Sequence, residues 1–247
     1  MRNGSAKVPG PGRREQAFAP KMGLERVRAC VEKVNFRSRL KMHTSDKPAA
    51  WYVDLMRHGE PVGGSRYRGQ LDDPLSDKGW RQMREKVANR SPWEMLVCSP
   101  LSRCRHFAEE LATARRLPLE VAPDLREVGF GVWEGLAREE VKARYAEIYA
   151  AFVEDPLGAR PPGAEPLGAF YERVARALES LAEHHAGKHV LVVCHAGVIR
   201  MALAWALGIP LANAYRIEAN HASITRLRME LTAVGLRTRL VFHGGEP

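Results

Sequence analysis

Apolar and polar positions change period several times along the chain, and each change marks an element. Trp51 to Gly59 reads Trp-Tyr-Val-Asp-Leu-Met-Arg-His-Gly, a short apolar run ending on a charged triplet. Such a run suits a buried strand of an α/β sheet, and these sheets bind ligands just beyond the carboxyl ends of their strands. Glu94 to Cys98 predicts a second strand, Leu119 to Val121 an edge strand, and His189 to Cys194 the most plainly buried strand of the chain. Between them the spacing turns helical. Ser76 is placed to cap a helix through Ala88, with Trp80, Met83 and Val87 on one face. Pro100 falls in the first turn of a helix whose apolar face is Leu101, Cys104, Ala108 and Leu111. Pro123 to Gly135, with its glycines and apolar residues, reads as a packed loop. Helical stretches follow near 137 to 153 and 167 to 185, divided by the breaker run Asp155 to Pro166, and another leaves His195 and ends near Gly208. Ser223 to Met229 and Leu236 to Phe242 read as two closing strands. The alternation predicts a single α/β domain over residues 51 to 247.

Residues 1 to 50 do not share this pattern. Pro9-Gly-Pro-Gly12 and its surroundings are loop or disorder by composition, and only Leu24 to Val34 is weakly amphipathic. We expect a basic, disordered extension here. A targeting peptide and a nucleic-acid arm are readings of it, but an overlong gene start with Met42 as the initiator is favoured. The extension also explains the net charge of +9, because it holds twelve Lys and Arg against four acidic residues. The remainder carries 26 basic and 25 acidic side chains, so the folded part is nearly neutral and gives no sign of binding nucleic acid. No apolar run approaches the ~20 residues of a membrane helix, and no secretory signal is recognisable. Cys30, Cys98, Cys104 and Cys194 show no paired spacing, and three of them fall in or beside core elements. Reduced thiols and a cytoplasmic location are therefore expected.

Candidate chemistry gathers at the predicted strand ends. Arg57 and His58 follow the first strand, Arg103 lies just inside the helix after the second, and His195 follows the strand at 189. In a mainly parallel sheet with right-handed crossovers these ends lie on one edge, which the loop carrying Glu127 can also reach. An Arg-His-Gly tip alone is equally at home on an ordinary surface loop. The full set has a more specific meaning. Guanidinium forks match phosphoryl oxygens, a neutral imidazole can attack phosphorus, and a carboxylic acid can protonate a departing alkoxide.

At these residues the sequence resembles the histidine phosphatase, or phosphoglycerate mutase-like, superfamily. Leu55-Met-Arg-His-Gly-Glu60, Ser99-Pro-Leu-Ser-Arg103, Leu125-Arg-Glu-Val-Gly-Phe-Gly-Val-Trp-Glu-Gly135 and Val193-Cys-His-Ala-Gly197 occur in the order of that family. The resemblance implies a three-layer α/β/α sandwich around a mainly parallel sheet. It also implies that His58 is the phosphorylated nucleophile, that Arg57, Arg103 and His195 hold the phosphoryl oxygens, and that Glu127 is the general acid and later the base. Gly59 would let the backbone turn sharply and approach the phosphate. No metal and no cofactor are implied; the expected partner is a small phosphorylated substrate, and a homodimer is left open. Pro61-Val-Gly-Gly64 departs from the Ser or Thr and nearby Asn usual in the mutases. Tyr67-Arg-Gly-Gln-Leu-Asp-Asp-Pro-Leu-Ser76, Phe130 to Gly135, Asp155-Pro156 and Pro161 to Glu165 are similar to the alpha-ribazole phosphatase branch, which points to cobalamin synthesis. A phosphoglycerate mutase, a broad-specificity sugar phosphatase and a silent phospho-ligand binding module are the alternatives.

Several other residues draw attention and are set aside. Arg66, Arg68 and Arg105 read as solvated surface, and Arg200 as a helix-surface ion pair or a group orienting a carboxylate. Glu60 and Glu134 compete with Glu127 only by proximity in sequence. His184, His185 and His189 read as solvent-facing histidines, Trp133 as a loop anchor that could stack on a base, and His221 has no assigned role.

Overall fold

The protein is described from a computed structural model, which covers residues 50–89, 92–233 and 235–245. The expected N-terminal extension, with Cys30 and the Leu24 to Val34 segment, lies outside the described residues; those described fall within one compact unit. The elements are β1 (Trp51–Arg57), α1 (Asp77–Val87), β2 (Met95–Cys98), α2 (Ser102–Arg115), β3 (Leu119–Val121), α3 (Arg138–Arg144), α4 (Ala146–Glu154), α5 (Leu167–His184), β4 (Val190–Cys194), α6 (Ala196–Leu207), β5 (Ile224–Thr232) and β6 (Gly235–His243). Short 3-10 turns at Pro123–Leu125, Gly131–Trp133 and Leu211–Arg216 join them.

One six-stranded sheet runs in the order β3-β2-β4-β1-β5-β6. Its first four strands are parallel, and β5 and β6 add an antiparallel hairpin at one edge. β2 and β4 are buried at every position, as continuous apolar strands covered on both faces must be. Met56, Leu96, Cys98, Leu191, Val193 and Ile224 pack on one face with Met83 and Val87 of α1 and Phe107, Ala108 and Leu111 of α2. Helices α5 and α6 pack together, and α6 meets β1 and β6. The α/β sandwich is therefore as expected. A second, smaller core joins Trp133, Val141 and Phe152 to Tyr67, Phe130, Tyr149 and Tyr215.

Two boundaries differ from expectation. Pro100 lies outside α2, whose N-cap is Leu101, because Pro100 and Leu101 form a bend between β2 and the helix. The helix expected over 137–153 is broken at Tyr145, whose backbone (φ −135°, ψ 41°) leaves the helical region and redirects α4. The three described cysteines, Cys98, Cys104 and Cys194, are free and buried.

Candidate active site

The carboxyl ends of β1, β2 and β4 meet at one edge of the sheet, since Arg57 pairs in register with Cys194, and Cys98 with Val193. His58 leaves β1 with its backbone N–H donating to the Cys194 carbonyl at 3.0 Å. Its Nδ1 lies 2.7 Å from the Gly59 carbonyl. A carbonyl only accepts, so Nδ1 carries the proton and Nε2 keeps its lone pair. The ring is buried, and burial, reinforced by Arg103 and Arg57, holds it well below the usual 6.5.

His195 is the N-cap of α6 and is fully buried, with its ring centroid 5.2 Å from that of His58. Its Nε2 stands 2.7 Å from the Ser99 hydroxyl, and the Cys104 sulfur lies 3.6 Å from the same nitrogen. Burial, then Arg103 and His58, pushes this imidazole well down too.

Arg103 reaches the edge from α2 and is almost wholly buried, donating to the Leu71 carbonyl at 2.8 Å and the Gly69 carbonyl at 2.9 Å. Arg57 donates to the Ala219 carbonyl at 2.7 Å. Burial lowers the Arg57 guanidinium to about 10, against the opposing influence of Glu127. Each arginine keeps a buried Nε–H with no hydrogen-bond partner among the described residues. Such a group costs about 1–3 kcal/mol unless an acceptor meets it.

Glu127 lies at the same edge. Its Oε2 accepts from the Gly197 N–H at 3.2 Å, in the first turn of α6, and its Oε1 from Val128 N–H at 2.9 Å. A Cβ on Gly197 would collide with that carboxylate, which accounts for the glycine. The rival carboxylates are engaged elsewhere. Glu134 accepts from Gln70 N–H (3.1 Å) and Phe130 N–H (2.9 Å), and Glu60 pairs with Lys78 at 2.7 Å.

Several expectations need correction. Gly59 is absent from the positive-φ glycines; what demands a glycine is that a Cβ there would collide with the Gly79 backbone at the start of α1. Arg66 and Arg68 are not solvated surface groups. Both pair with Asp73, at 2.8 and 3.0 Å, and Arg68 also donates to the Val62 carbonyl at 2.7 Å and to Gly64 O, tying down the loop after His58. Arg105, by contrast, is exposed beside Glu109 as expected. Arg200 donates to the Ile217 carbonyl at 2.9 Å and covers the Tyr215 ring. Trp133 is fully buried, so it anchors its loop and has no face for a substrate base. His189 pairs with buried Asp54 at 3.1 Å and is no solvent-facing residue, because the two meet across β1 and β4. Among the described residues, no three His, Cys, Asp or Glu side chains are gathered to hold a metal ion, and no helix is long and apolar enough to cross a membrane.

Three residues escaped the sequence reading. Ser99 could have been found, since it ends a predicted strand. Arg173 could too, as a charge inside the apolar stripe of α5. His221 gives no local signal: it sits on the turn Asn220 to Ser223, whose Ala222 adopts φ 55°, and that turn is bolted to the end of β1 by Arg57 N–H to Ser223 O (3.0 Å) and Ala222 N–H to His58 O (3.3 Å). Its ring centroid is 5.8 Å from that of His58, and burial and Arg57 bring it down to about 4. A cavity of about 500 Å³ lined by Gln82, Glu85, Asn220 and His221 adjoins it, but none of Arg57, His58, Arg103, Glu127 or His195 lines that space.

Three histidines held neutral have a consequence for stability. All three fall below 6.5 in the folded chain, so their neutral forms cost nothing above that pH, and the unfolded chain takes up protons that the fold cannot as the pH drops. Stability is thus lost from pH 6.5 downward, through about 4 for His221. Calorimetric melting temperatures are expected to fall between pH 7.5 and 5; identical values at both would contradict the neutral assignment.

Known proteins share this chain's sequence and fold. The family described as Histidine phosphatase superfamily (branch 1) matches residues 53–238. Phosphoserine phosphatase 1 of Hydrogenobacter thermophilus is 32% identical over 199 residues, covering 78% of this chain and 93% of its own. The adenosylcobalamin/alpha-ribazole phosphatase of Escherichia coli is 32% identical over 160 residues, 63% of this chain and 79% of its own. The structure of a mycobacterial glucosyl-3-phosphoglycerate phosphatase superposes with a TM-score of 0.70 at 27% identity, over 80% of this chain and 100% of that one.

Proposed function

Because the chain belongs to the histidine phosphatase superfamily, branch 1, and is a phosphatase of monoesters, we propose that it works through a phosphohistidine on His58. The observation that carries this reading is the His58 ring itself, with Nδ1–H committed to Gly59 O and Nε2 left as a lone pair beside two buried guanidinium groups. In the proposed first step Nε2 bonds to phosphorus. The P–O bond to the alcohol breaks, its electron pair goes to the departing oxygen, and Glu127 gives that oxygen a proton. Water, deprotonated by Glu127, then bonds through its oxygen to phosphorus; the P–Nε2 bond breaks, its electron pair returns to His58, and phosphate leaves. Arg57 and Arg103 hold the phosphoryl oxygens, which would give their orphaned Nε–H groups acceptors, and His195, oriented by Ser99, completes the cradle. The two guanidinium groups supply the positive charge that a metal would otherwise bring, so the reaction is metal-independent. Gly59 places its carbonyl on the nucleophile.

We take the alcohol to be alpha-ribazole, as its 5'-phosphate or the corresponding adenosylcobalamin phosphate, and the setting to be cobalamin synthesis in the cytoplasm. The E. coli relative and the Tyr67 to Ser76 segment support this. A carboxylate-bearing ester such as phosphoserine is the second reading, favoured by the Hydrogenobacter relative and by Arg68 and Arg200, whose charges bear on Arg57. A mutase has less support, since Pro61 to Gly64 replaces the polar residues usual there. A silent binding module is disfavoured by Glu127 standing at Gly197.

A panel of phosphate esters with phosphate release as the readout tests both levels. Turnover of a generic aryl phosphate is expected to survive excess chelator, and alpha-ribazole 5'-phosphate to give the highest kcat/KM. Strong inhibition by chelator would sink the mechanism, and a preference for phosphoserine or 3-phosphoglycerate would replace the substrate.

A further inference from the structure

Helix α5 turns a stripe of Leu167, Phe170, Val174, Leu178 and Leu181 to the core, and Arg173 falls inside that stripe, 8% exposed. A guanidinium so placed is strongly disfavoured unless its N–H groups are matched. They are matched to one loop. Nη1 donates to the carbonyls of Asp124 (2.6 Å) and Arg126 (2.7 Å), and Nη2 to the carbonyl of Glu127 itself (3.0 Å). The remaining donors go to Glu165, Nε to Oε1 at 2.7 Å and Nη2 to Oε2 at 2.9 Å, while the plane lies 4.5 Å over the Phe170 ring.

Glu165 closes the far side of the same loop. It accepts from Gly129 N–H at 3.2 Å, and its own N–H donates to Gly129 O at 3.1 Å. Arg160 adds bonds to the carbonyls of Gly129 (3.1 Å) and Glu165 (3.2 Å). The backbone from 124 to 129 is therefore gripped at four residues, with the Glu127 side chain projecting from the middle of the grip to Gly197.

We propose that Arg173, seated by Glu165, is a positioning residue that sets where the Glu127 carboxyl stands for proton transfer to the leaving oxygen. This rests on the reading of Glu127 as the acid. Arg173 touches neither substrate nor nucleophile and acts only through the carbonyls it holds. Misplacement of a catalytic group by about 1 Å can cost on the order of 10²-fold. That loss must depend on the alcohol: a basic alkoxide needs the proton as the P–O bond breaks, whereas 4-nitrophenolate leaves without it.

The test compares kcat/KM on 4-nitrophenyl phosphate and on a simple alkyl phosphate for the full chain, Arg173→Met, Arg173→Lys and Glu127→Gln. This ratio reports transfer to His58 and excludes the later hydrolysis. Arg173→Met is expected to lose about 10²-fold on the alkyl ester and only a few-fold on the aryl ester, with Arg173→Lys between, since a lone ammonium cannot span three carbonyls. Glu127→Gln should show the same selectivity more strongly. If Arg173→Met proves insoluble, Glu165→Gln, which keeps the shape but loosens the clasp, is expected to show a milder form of it. Equal losses on both esters, with Glu127→Gln selective, would overturn the positioning role and leave the acid assignment standing. A Glu127→Gln variant that is itself unselective would overturn the acid assignment, and the positioning role with it.

Discussion

Alanine at residue 58 is expected to abolish phosphate release from every ester, a loss of roughly 10³-fold or more, because the step it removes is the covalent one. Wild-type enzyme quenched during turnover should carry an alkali-stable, acid-labile phosphoryl group, and His58→Ala none. The fold should survive. The His58 backbone bonds to Cys194 and Ala222 are untouched, and the substitution removes a buried polar ring crowded by two guanidinium groups and two other histidines. Melting temperature is the control: a lost phosphoenzyme with an unchanged melt assigns the nucleophile, whereas a normal phosphoenzyme in the variant would remove His58 from that role.

Asp54→Ala is expected to have the opposite profile, costing about 3–5 kcal/mol of stability, the range for breaking a buried ion pair by removing one partner. Asp54 is wholly buried in the middle of β1. It accepts from Arg226 at 2.7 and 2.9 Å, from Trp93 Nε1 at 2.9 Å, and faces His189 Nε2 at 3.1 Å. Arg226 is in turn held between the rings of Tyr52 and Phe242. Burial raises the Asp54 carboxyl, but the bonds from Arg226, His189 and Trp93 outweigh it and leave the group below 3.8. Its contribution is therefore present above the ordinary carboxylate range and lost only as the pH falls through its lowered value. Urea unfolding at pH 7 measures the loss, and a midpoint equal to wild type would show the network to be dispensable.

What the sequence discloses and what it conceals follow from distance along the chain. β2 and β4 announce themselves because burial on both faces demands unbroken apolar runs, and β1 because apolar residues flank Asp54; Arg57, His58, Arg103 and His195 stand out because each is charged or titratable at or just past such a strand. The motif around Glu127 locates that residue, but nothing local shows that its backbone is held by Arg173, 46 residues on. The same is true of His189, whose partner Asp54 is 135 residues away, and of Gly59, whose constraint comes from Gly79 across a loop. The break at Tyr145 lacks even a glycine or proline to mark it. Trp133 could be recognised as an anchor, yet its complete burial depends on Tyr67, Phe130, Tyr149 and Phe152 arriving from three separate segments.

The Asp54 network gathers Trp93 and His189, which lie just before β2 and β4, whereas the proposed phosphoryl residues follow the other ends of those strands. Cohesion and chemistry thus occupy opposite ends of the same parallel strands. A lineage under selection for a new ester can alter exposed positions of the loop after His58, such as Val62 and Ser65, while the Asp54 ion pair stays intact. Laboratory evolution confined to that loop should accordingly yield changes of substrate preference at little expense in melting temperature, and the pool of folded variants open to it should be large.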